Sequence, residues 1–308
     1  MKLGMVGLGK MGGNMSIRLR KAGHEVVGYD RDPKVSDVAD LAALVEALGD
    51  SPRAVWVMVP SGEPTDQAIK TLAGLLAPGD VVVDGGNSNW RDSQAHAAEL
   101  AERRIGFLDV GVSGGVWGLE EGYALMAGGD PDHVAVLQPA FDALAPAGGF
   151  AHVGPTGAGH YTKMVHNGVE YGLMQAYAEG YELLSAADLD IDVDGALRSW
   201  RYGSVVRSWL LDLLVRALDD DPGLATIRGW AADSGEGRWT VDEAVRLAVP
   251  LPVISAALFA RFASRQDDST AMKVVAALRT QFGGHSSEAV DRRPAESVMA
   301  EEQEVRPG

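Results

Sequence analysis

The sequence predicts an α/β domain built on a doubly wound sheet, followed by an all-α domain. A glycine-rich turn directly follows the first apolar run, and strand-like and helix-like stretches then alternate through the first half. The alternation stops at Gly159, after which long helical patterns continue to about Phe282. Short apolar strands separated by helices are typical of parallel sheets. We place the domains at residues 1–157 and 158–285, and we expect the polar tail 286–308 to be disordered.

Composition limits the classes of function. The chain has 308 residues, 43 of them acidic and 27 basic, which gives a formal net charge of −16. Without a surplus of cations to displace counterions, we expect no nucleic-acid partner. The absence of cysteine excludes disulfides and thiolate catalysis. The N-terminus has no signal-like apolar stretch and the longest apolar run, 247–260, contains two prolines, so we expect a cytoplasmic protein with no membrane partner.

The first strand and its turn carry a dinucleotide-binding pattern. Lys2–Val6 is followed by Gly7-Leu8-Gly9-Lys10-Met11-Gly12 and then by a helical stretch that ends at Gly23. Such a turn by itself is also compatible with an ordinary flexible loop. In this context Gly7 permits the tight turn, Gly9 lets backbone N–H groups reach a pyrophosphate, and Gly12 lets the helix lie close to the strand.

The end of the second strand indicates which dinucleotide binds. Glu25–Tyr29 ends at Asp30, about twenty residues beyond the turn, where a carboxylate accepts hydrogen bonds from ribose hydroxyls. A carboxylate at this point repels a 2′-phosphate, so we expect NAD rather than NADP. The adjacent Arg31 weakens this preference because it could tolerate the phosphate. The expected cofactor contacts are Gly7, Leu8, Gly9, Lys10, Met11, Gly12, Asp30, Arg31, Met58, Val59, Pro60 and Asn87.

Three later loops fall at the carboxyl ends of predicted strands 54–59, 80–84 and 107–110. The loops are Met58–Gly62, Asp84–Ser88 and Val112–Gly115, and open α/β sheets bind ligands beyond this edge. Each could also be a normal turn, since Gly, Asn and Ser are common in turns. Their shared position favours ligand contact by Asn87 and Ser113.

A polar stripe occurs on the first long helix of the second half. Lys163, His166, Asn167 and Glu170 have the spacing i, i+3, i+4 and i+7, which places them on one helix face. A solvated surface face is the ordinary interpretation of such a stripe. Here the flanking residues are apolar or small, and we expect the helix to be buried against others. A buried stripe of amine, imidazole, amide and carboxylate needs partners or a ligand, so we expect a polar site.

A calcium-loop-like pattern begins at Asp190. The bidentate glutamate expected at the twelfth position is replaced by Arg201, so we reject calcium binding. Asp192 or Asp194 is instead expected to cap a helix. No metal site is predicted.

Four segments together resemble one family: Gly7–Gly12, Asp84–Ser88, Val112–Gly115 and Lys163–Gly172. With these motifs the chain resembles the decarboxylating 6-phosphogluconate dehydrogenases, specifically their short, NAD-preferring branch within the β-hydroxyacid dehydrogenases. The match is dense from Met1 to about Gly180. The resemblance implies a Rossmann-type sheet domain, a helical domain, and oxidation of 6-phosphogluconate by NAD to ribulose 5-phosphate and carbon dioxide.

The resemblance also implies roles for individual residues. Lys163 is then the general base and later an acid, and Glu170 is the second acid. Arg261, Arg279 and His285 resemble the family's phosphate-binding groups, and the last two are expected to reach a neighbouring subunit's site in a homodimer or homotetramer. The implied substrate contacts are Asn87, Ser113, Gly114, Gly115, His166, Asn167, Tyr171, Arg261, Arg279 and His285.

One segment departs from the family pattern. Where the longer branch has a substrate-binding lysine, this chain has 233–240 without lysine, and Arg238 is a weak substitute. Two alternatives stay open: a non-decarboxylating dehydrogenase of a small acid such as 3-hydroxyisobutyrate or a glyoxylate-type compound, and a catalytically silent NAD-binding protein. His166, Glu170, Arg279 and His285 disfavour the small acid, which needs neither a second acid nor a phosphate clamp. An intact Lys163 disfavours the silent protein.

Overall fold

The computed structural model describes residues 1–283. The chain divides into two compact units, one formed by Met1–Arg228 with Ala232–Phe259, the other by Gly229–Ala231 with the chain from Ala260 onward. Within residues 1–283, no helix is both long enough and apolar enough to cross a membrane. His285 and the tail 286–308 lie outside the described residues.

A seven-stranded sheet is the centre of the first unit. Its strands lie in the order β2-β1-β3-β4-β5-β6-β7, and all neighbours are parallel except β5 and β6. The doubly wound sheet is therefore confirmed. The strands are β1 (Lys2–Val6), β2 (Glu25–Tyr29), β3 (Ala54–Val57), β4 (Val81–Asp84), β5 (Gly106–Ser113), β6 (Ala124–Gly129) and β7 (Phe150–Gly154).

The sequence patterns placed β1 and β2 at their observed bounds but missed other parts of the sheet. β6 has no β-branched residue and ends in two glycines, so its propensity for strand is weak. β5 extends to Ser113 because β6 pairs with it in antiparallel register over 108–113. Pairing with a neighbouring strand, rather than local composition, creates both features.

The remaining elements are helical, and no strand follows β7 within residues 1–283, as predicted. Asp192 caps α8 by accepting a hydrogen bond from the Gly195 N–H at 2.8 Å, which confirms its predicted capping role. The helices are α1 (Lys10–Lys21), α2 (Leu41–Leu48), α3 (Glu63–Leu75), α4 (Trp90–Ala101), α5 (Gly118–Glu121), α6 (Pro131–Leu144), α7 (Ala158–Ser185), α8 (Val193–Trp200), α9 (Trp209–Asp220), α10 (Gly235–Leu247), α11 (Pro252–Ala263) and α12 (Thr270–Gly283).

The sheet is covered on both faces. In β4, Val81 and Val83 belong to one apolar cluster and Val82 to the other, because successive side chains point to opposite faces. Burial on both faces explains why these strands are continuous apolar runs rather than alternating ones. The carboxyl edge of the parallel strands is thereby held rigidly, and the candidate site lies at that edge.

Candidate functional site

The glycine turn between β1 and α1 has the geometry of a nucleotide-binding turn. Gly7 has φ +93°, and a Cβ atom there would lie 2.5 Å from the Met58 carbonyl oxygen. A Cβ at Gly12 would clash with the Gly7 carbonyl, whereas nothing lies within 4 Å of the Cβ position of Gly9. Gly9 is also the N-cap of α1 and makes no side-chain cap. The helix N-terminus therefore faces open space, where a pyrophosphate fits.

Asp30 reaches from the end of β2 to this turn. Its Oδ2 accepts a hydrogen bond from the Leu8 N–H at 2.7 Å, and its Oδ1 accepts one from the Asp32 N–H at 2.9 Å. The carboxylate thus fixes the turn while staying half-exposed at its edge. Arg31 beside it is exposed.

A cavity of about 460 Å³ opens next to Asp30. Its size and its mostly apolar walls suit an adenosine group. Most of the predicted cofactor contacts converge here, since the lining includes Gly7, Gly9, Asp30, Arg31, Met58, Val59 and Pro60.

Helix α7 is held against β5 by small residues and a buried carboxylate. Asp109, fully buried in β5, accepts hydrogen bonds from the backbone N–H groups of Gly157 at 2.6 Å and His160 at 2.8 Å. Two residues further along, a Cβ atom at Gly111 would clash with the Cβ of Lys163. Strand β5 therefore fixes the position of the start of α7 through Asp109 and the position of Lys163 through Gly111.

Three residues of the polar stripe of α7 form one hydrogen-bonded group, and the fourth, Glu170, lies beside it. The Lys163 Nζ donates to the Asn167 Oδ1 at 2.7 Å and lies 3.5 Å from the His166 Nδ1. The His166 Nε2 lies 3.3 Å from the Ser113 Oγ, at the end of β5. The Glu170 Oε2 is 3.9 Å from the His166 Nδ1. The predicted shared face is confirmed, and Ser113 joins it.

Lys163 has the properties of a general base. Its side chain is buried, with 7% of the residue exposed. Burial lowers the pKa of Lys163, and the carboxylates of Glu170 and Glu236 partly oppose that effect. A lysine with a lowered pKa is neutral for a larger fraction of the time at a given pH, and can then accept a proton.

The expectation that α7 is buried against other helices is met on only part of its surface in the single chain. Gly168 and Gly172 do allow close packing, since Cβ atoms there would lie 2.7 Å from Thr240 and 3.3 Å from Val253. On the neighbouring face of the helix, apolar side chains remain substantially exposed. Those residues are Val165, Val169 and Leu173.

The other predicted site residues are placed as follows. Asn87 is exposed after β4, the strand beside β5, and Gly114 and Gly115 follow Ser113 with φ of +141° and +54°. The Tyr171 OH lies 3.0 Å from the Ser234 Oγ and accepts a hydrogen bond from the Ser234 N–H. Arg261, half-exposed, and Arg279, exposed on α12, belong to the second unit.

The sequence patterns missed two residues that shape the site. Asp109 is flanked by apolar strand residues and resembles an ordinary strand end. Glu236 lies within a segment that the sequence marked only by its missing lysine. Its burial and its proximity to Lys163 arise from the packing of α10 on α7, and no local signal indicates them.

The fold and the site together define a dinucleotide-dependent dehydrogenase, with a nucleotide-binding turn in the sheet region and a buried lysine on α7. Residues 2–154 match the family described as the NAD binding domain of 6-phosphogluconate dehydrogenase. Residues 159–293 match the 6-phosphogluconate dehydrogenase C-terminal domain. The chain belongs to the 6-phosphogluconate dehydrogenase family.

Individual relatives agree with this membership. The chain is 43% identical to the NAD(+)-dependent, decarboxylating 6-phosphogluconate dehydrogenase of Haloferax volcanii, covering 92% of this chain and 98% of that protein. It is 34% identical to the decarboxylating 6-phosphogluconate dehydrogenase of Lactococcus lactis subsp. lactis, over 94% and 67% of the two chains.

Solved structures show the same architecture. The Plasmodium falciparum 6-phosphogluconate dehydrogenase superposes with a TM-score of 0.78 at 25% identity, over 96% of this chain and 68% of that one. The 3-hydroxyisobutyrate dehydrogenase of Mycobacterium tuberculosis gives 0.69 at 24% identity, over 90% and 99%. The second likeness concerns the fold alone.

Proposed function

We propose that this chain catalyses the oxidative decarboxylation of 6-phosphogluconate to ribulose 5-phosphate and carbon dioxide, with NAD as hydride acceptor. The observation that carries the proposal is the cluster of buried Lys163 and Asn167 with half-exposed His166 and Glu170, at the carboxyl edge of a sheet whose first turn fits a dinucleotide. The 43% identical relative is named for this reaction with NAD(+).

Lys163 is the proposed base for oxidation. The neutral amine takes the proton of the 3-hydroxyl group while bound NAD accepts the hydride from carbon 3. The hydrogen bond to Asn167 orients the Nζ atom, and desolvation favours its neutral form. The product of this step is a β-keto acid, which loses carbon dioxide when its ketone oxygen receives a proton or a strong hydrogen bond. The Lys163 ammonium, just formed, can supply it.

Glu170 is the proposed acid for the last step. Decarboxylation removes carbon 1 of the substrate and leaves an enediol that must gain a proton at the former carbon 2, which becomes carbon 1 of ribulose 5-phosphate. Glu170 lies two helical turns from Lys163 and is about one third exposed, so it can exchange protons with solvent. Its neighbour His166 lies between Lys163 and Glu170 and contacts Ser113. We assign Ser113 to substrate positioning, together with Asn87, Gly114, Gly115 and Tyr171.

We further propose that the phosphate is bound across a subunit interface. Arg279 and His285, with Arg261, would supply charge-assisted hydrogen bonds that an acidic chain otherwise lacks. The exposed apolar face of α7 supports a homo-oligomer, because such a patch is typical of an interaction surface.

The two family matches meet between residues 154 and 159, which supports a domain boundary near residue 157.

The direct test is an assay with 6-phosphogluconate and NAD in which NADH and carbon dioxide are measured together. We expect equal amounts of the two products. NADH without carbon dioxide would indicate a non-decarboxylating dehydrogenase, and no NADH with any β-hydroxy acid would indicate a silent binding protein.

Subunit mixing tests the phosphate site. Chains with Lys163→Met and chains with Arg279→Ala are each expected to be nearly inactive, and in a mixed dimer one site regains both groups if Arg279 acts in trans. Random exchange of equal amounts then restores about one quarter of the wild-type activity, because half of the dimers are mixed and each has one complete site. No recovery in verified mixed oligomers would refute the trans arrangement.

A further inference from the structure

Glu236 is a buried carboxylate that the mechanism above does not use. It lies in the first turn of α10 and is 4% exposed. Its Oε1 atom has no hydrogen-bond partner among the described residues. Leaving a buried polar atom unpaired is costly, and more so when the group is charged. A position of this kind indicates a missing donor.

Glu243, on the same helix, shows how the chain treats a buried carboxylate that has only a structural role. It is also 4% exposed, but Arg91 donates to its Oε2 at 3.0 Å and Arg246 donates to its Oε1 at 2.9 Å. Both oxygens are therefore satisfied by protein cations. Glu236 has the same burial, but no cation donates to its Oε1 atom within residues 1–283, which leaves that atom available to a bound ligand.

The packing of α10 places Glu236 beside the catalytic helix. Thr240 donates to the Met164 carbonyl at 2.8 Å, and a Cβ atom at Gly237 would lie 2.6 Å from the Tyr171 ring. Glu236 is adjacent to Gly237 in the sequence and lies one helical turn before Thr240. Its charge acts on the Lys163 ammonium, although no hydrogen bond joins the two residues within the described part of the chain.

We propose that Glu236 is a substrate-binding residue whose Oε1 accepts a hydrogen bond from a hydroxyl group of the polyhydroxy acid, an inference that rests on the proposed function. The carboxylate repels the phosphate and carboxylate of that substrate, so its ligand must be an uncharged donor. The hydroxyl groups at carbons 2, 4 and 5 are the available donors, since the group at carbon 3 reacts with Lys163.

This assignment makes Glu236 a specificity determinant. A small β-hydroxy acid without further hydroxyl groups would leave the Oε1 atom buried and unpaired. A site that is built to hydrogen-bond a hydroxyl group discriminates strongly against ligands that lack it. Glu236 would therefore favour a sugar acid over the short acids used by proteins of the same fold.

The test compares 6-phosphogluconate with its 2-deoxy, 4-deoxy and 5-deoxy analogues in wild type, Glu236→Ala, Glu236→Gln and the control Glu243→Gln. Wild type should lose about 10- to 100-fold in kcat/KM with one of the three analogues, the range typical of a hydrogen bond to a charged group. Glu236→Ala should show a similar loss in kcat/KM with 6-phosphogluconate itself, mainly through a higher KM. This variant should use that analogue and 6-phosphogluconate with equal kcat/KM. Glu236→Gln keeps an acceptor oxygen and should be intermediate.

Two further measurements separate a binding role from a structural one. NAD affinity, measured by fluorescence titration, should be unchanged in the Glu236 variants. Their Tm should equal or exceed that of wild type, because each removes an unpartnered buried charge. Glu243→Gln should show the opposite pattern, with a lower Tm and wild-type discrimination among the analogues.

The outcomes distinguish this inference from the proposed function. If wild type does not oxidise 6-phosphogluconate, the proposed function fails and the inference fails with it. If wild type is active and folded Glu236→Ala distinguishes all three analogues as wild type does, the inference alone is wrong. Loss of NAD affinity or a lower Tm together with unchanged discrimination would also assign Glu236 to structure rather than to substrate.

Discussion

The sheet region and the helical region differ in how completely they bury their apolar residues. Strand residues such as Val55, Trp56 and Val82 are fully buried, because helices cover both faces of the sheet. In the helical region Val205 is fully exposed and Leu173 is 44% exposed. The central strands are therefore enclosed in a complete core, whereas the helices after β7 leave a row of apolar side chains on α7 exposed in the single chain.

The two regions also differ in how they position functional groups. The glycine turn is defined by local backbone geometry, since Gly7, Gly9 and Gly12 act within six residues of each other. The position of Lys163 is set by contacts with a distant element. Gly111 on β5 packs against Lys163, and the carboxylate of Asp109 on the same strand binds the start of α7. Substitutions in the turn should therefore affect cofactor binding, whereas substitutions between β5 and α7 should affect the chemistry.

The largest expected effect comes from the catalytic pair. Lys163→Met should abolish detectable turnover, and Glu170→Gln should reduce kcat by about 10² to 10⁴-fold, the usual range for one acid or base. NAD affinity should be unchanged in both, because neither residue belongs to the turn. Steady-state kinetics with parallel NAD titration checks this. Near-normal turnover in folded Glu170→Gln would contradict its role.

The next effect tests the contact between β5 and α7. Gly111→Ala should displace Lys163, lowering kcat by about 10- to 100-fold and the free energy of unfolding by about 1–3 kcal/mol, the usual cost of overpacking. Gly74→Ala is the control, since nothing lies within 4 Å of its Cβ position in α3 and alanine favours helix. Equal kcat in both variants would show that the close approach does not position the base.

A substitution at Asp30, in the cofactor-binding part of the site, should change the preference for NAD over NADP. Asp30→Asn keeps an acceptor for the Leu8 N–H but removes the charge that repels a 2′-phosphate. We expect the ratio of kcat/KM for NAD over NADP to fall about tenfold, which corresponds to 1.4 kcal/mol. The exposed neighbour Asp32→Asn is the control and should change the ratio little. A native preference for NADP would refute the role of Asp30.

The difference in exposed apolar surface can be tested with two similar substitutions. Leu173 on α7 is 44% exposed and Val136 on α6 is 50% exposed. Leu173→Asp should shift the solution mass toward the monomer, because a charge in an apolar interface is costly, whereas Val136→Asp should leave it unchanged. Light scattering after gel filtration measures both. Dissociation by both variants, or by neither, would remove the distinction between the two regions.

The smallest effect concerns stability and pH. Burial lowers the pKa of Lys163 below its ordinary value of 10.5, so the unfolded chain binds more protons than the folded one between the lowered pKa and 10.5. The free energy of unfolding therefore rises with pH in that window. The Tm of wild type relative to Lys163→Met should increase as the pH rises through that window toward 10.5. Calorimetry at several pH values checks the sign, and a constant difference would show that Lys163 titrates normally.

Much of the fold and part of the site could be predicted from the sequence. The glycine turn, the bounds of β1 and β2, and the shared face of Lys163, His166, Asn167 and Glu170 depend on residue type and on a fixed period, and these features are local. β6 could not be predicted, because its alanine and glycine residues favour no strand and its extended form depends on pairing with β5.

Residue types and their spacing along one helix specify which groups are available for the chemistry. The environment of those groups depends on tertiary contacts. The burial that lowers the pKa of Lys163 and the carboxylate of Asp109 at the start of α7 arise where distant segments meet, as does the buried Glu236 Oε1 atom, which has no hydrogen-bond partner within residues 1–283. Desolvation and hydrogen bonding depend on what surrounds a group in space, and the surrounding residues are far away along the chain.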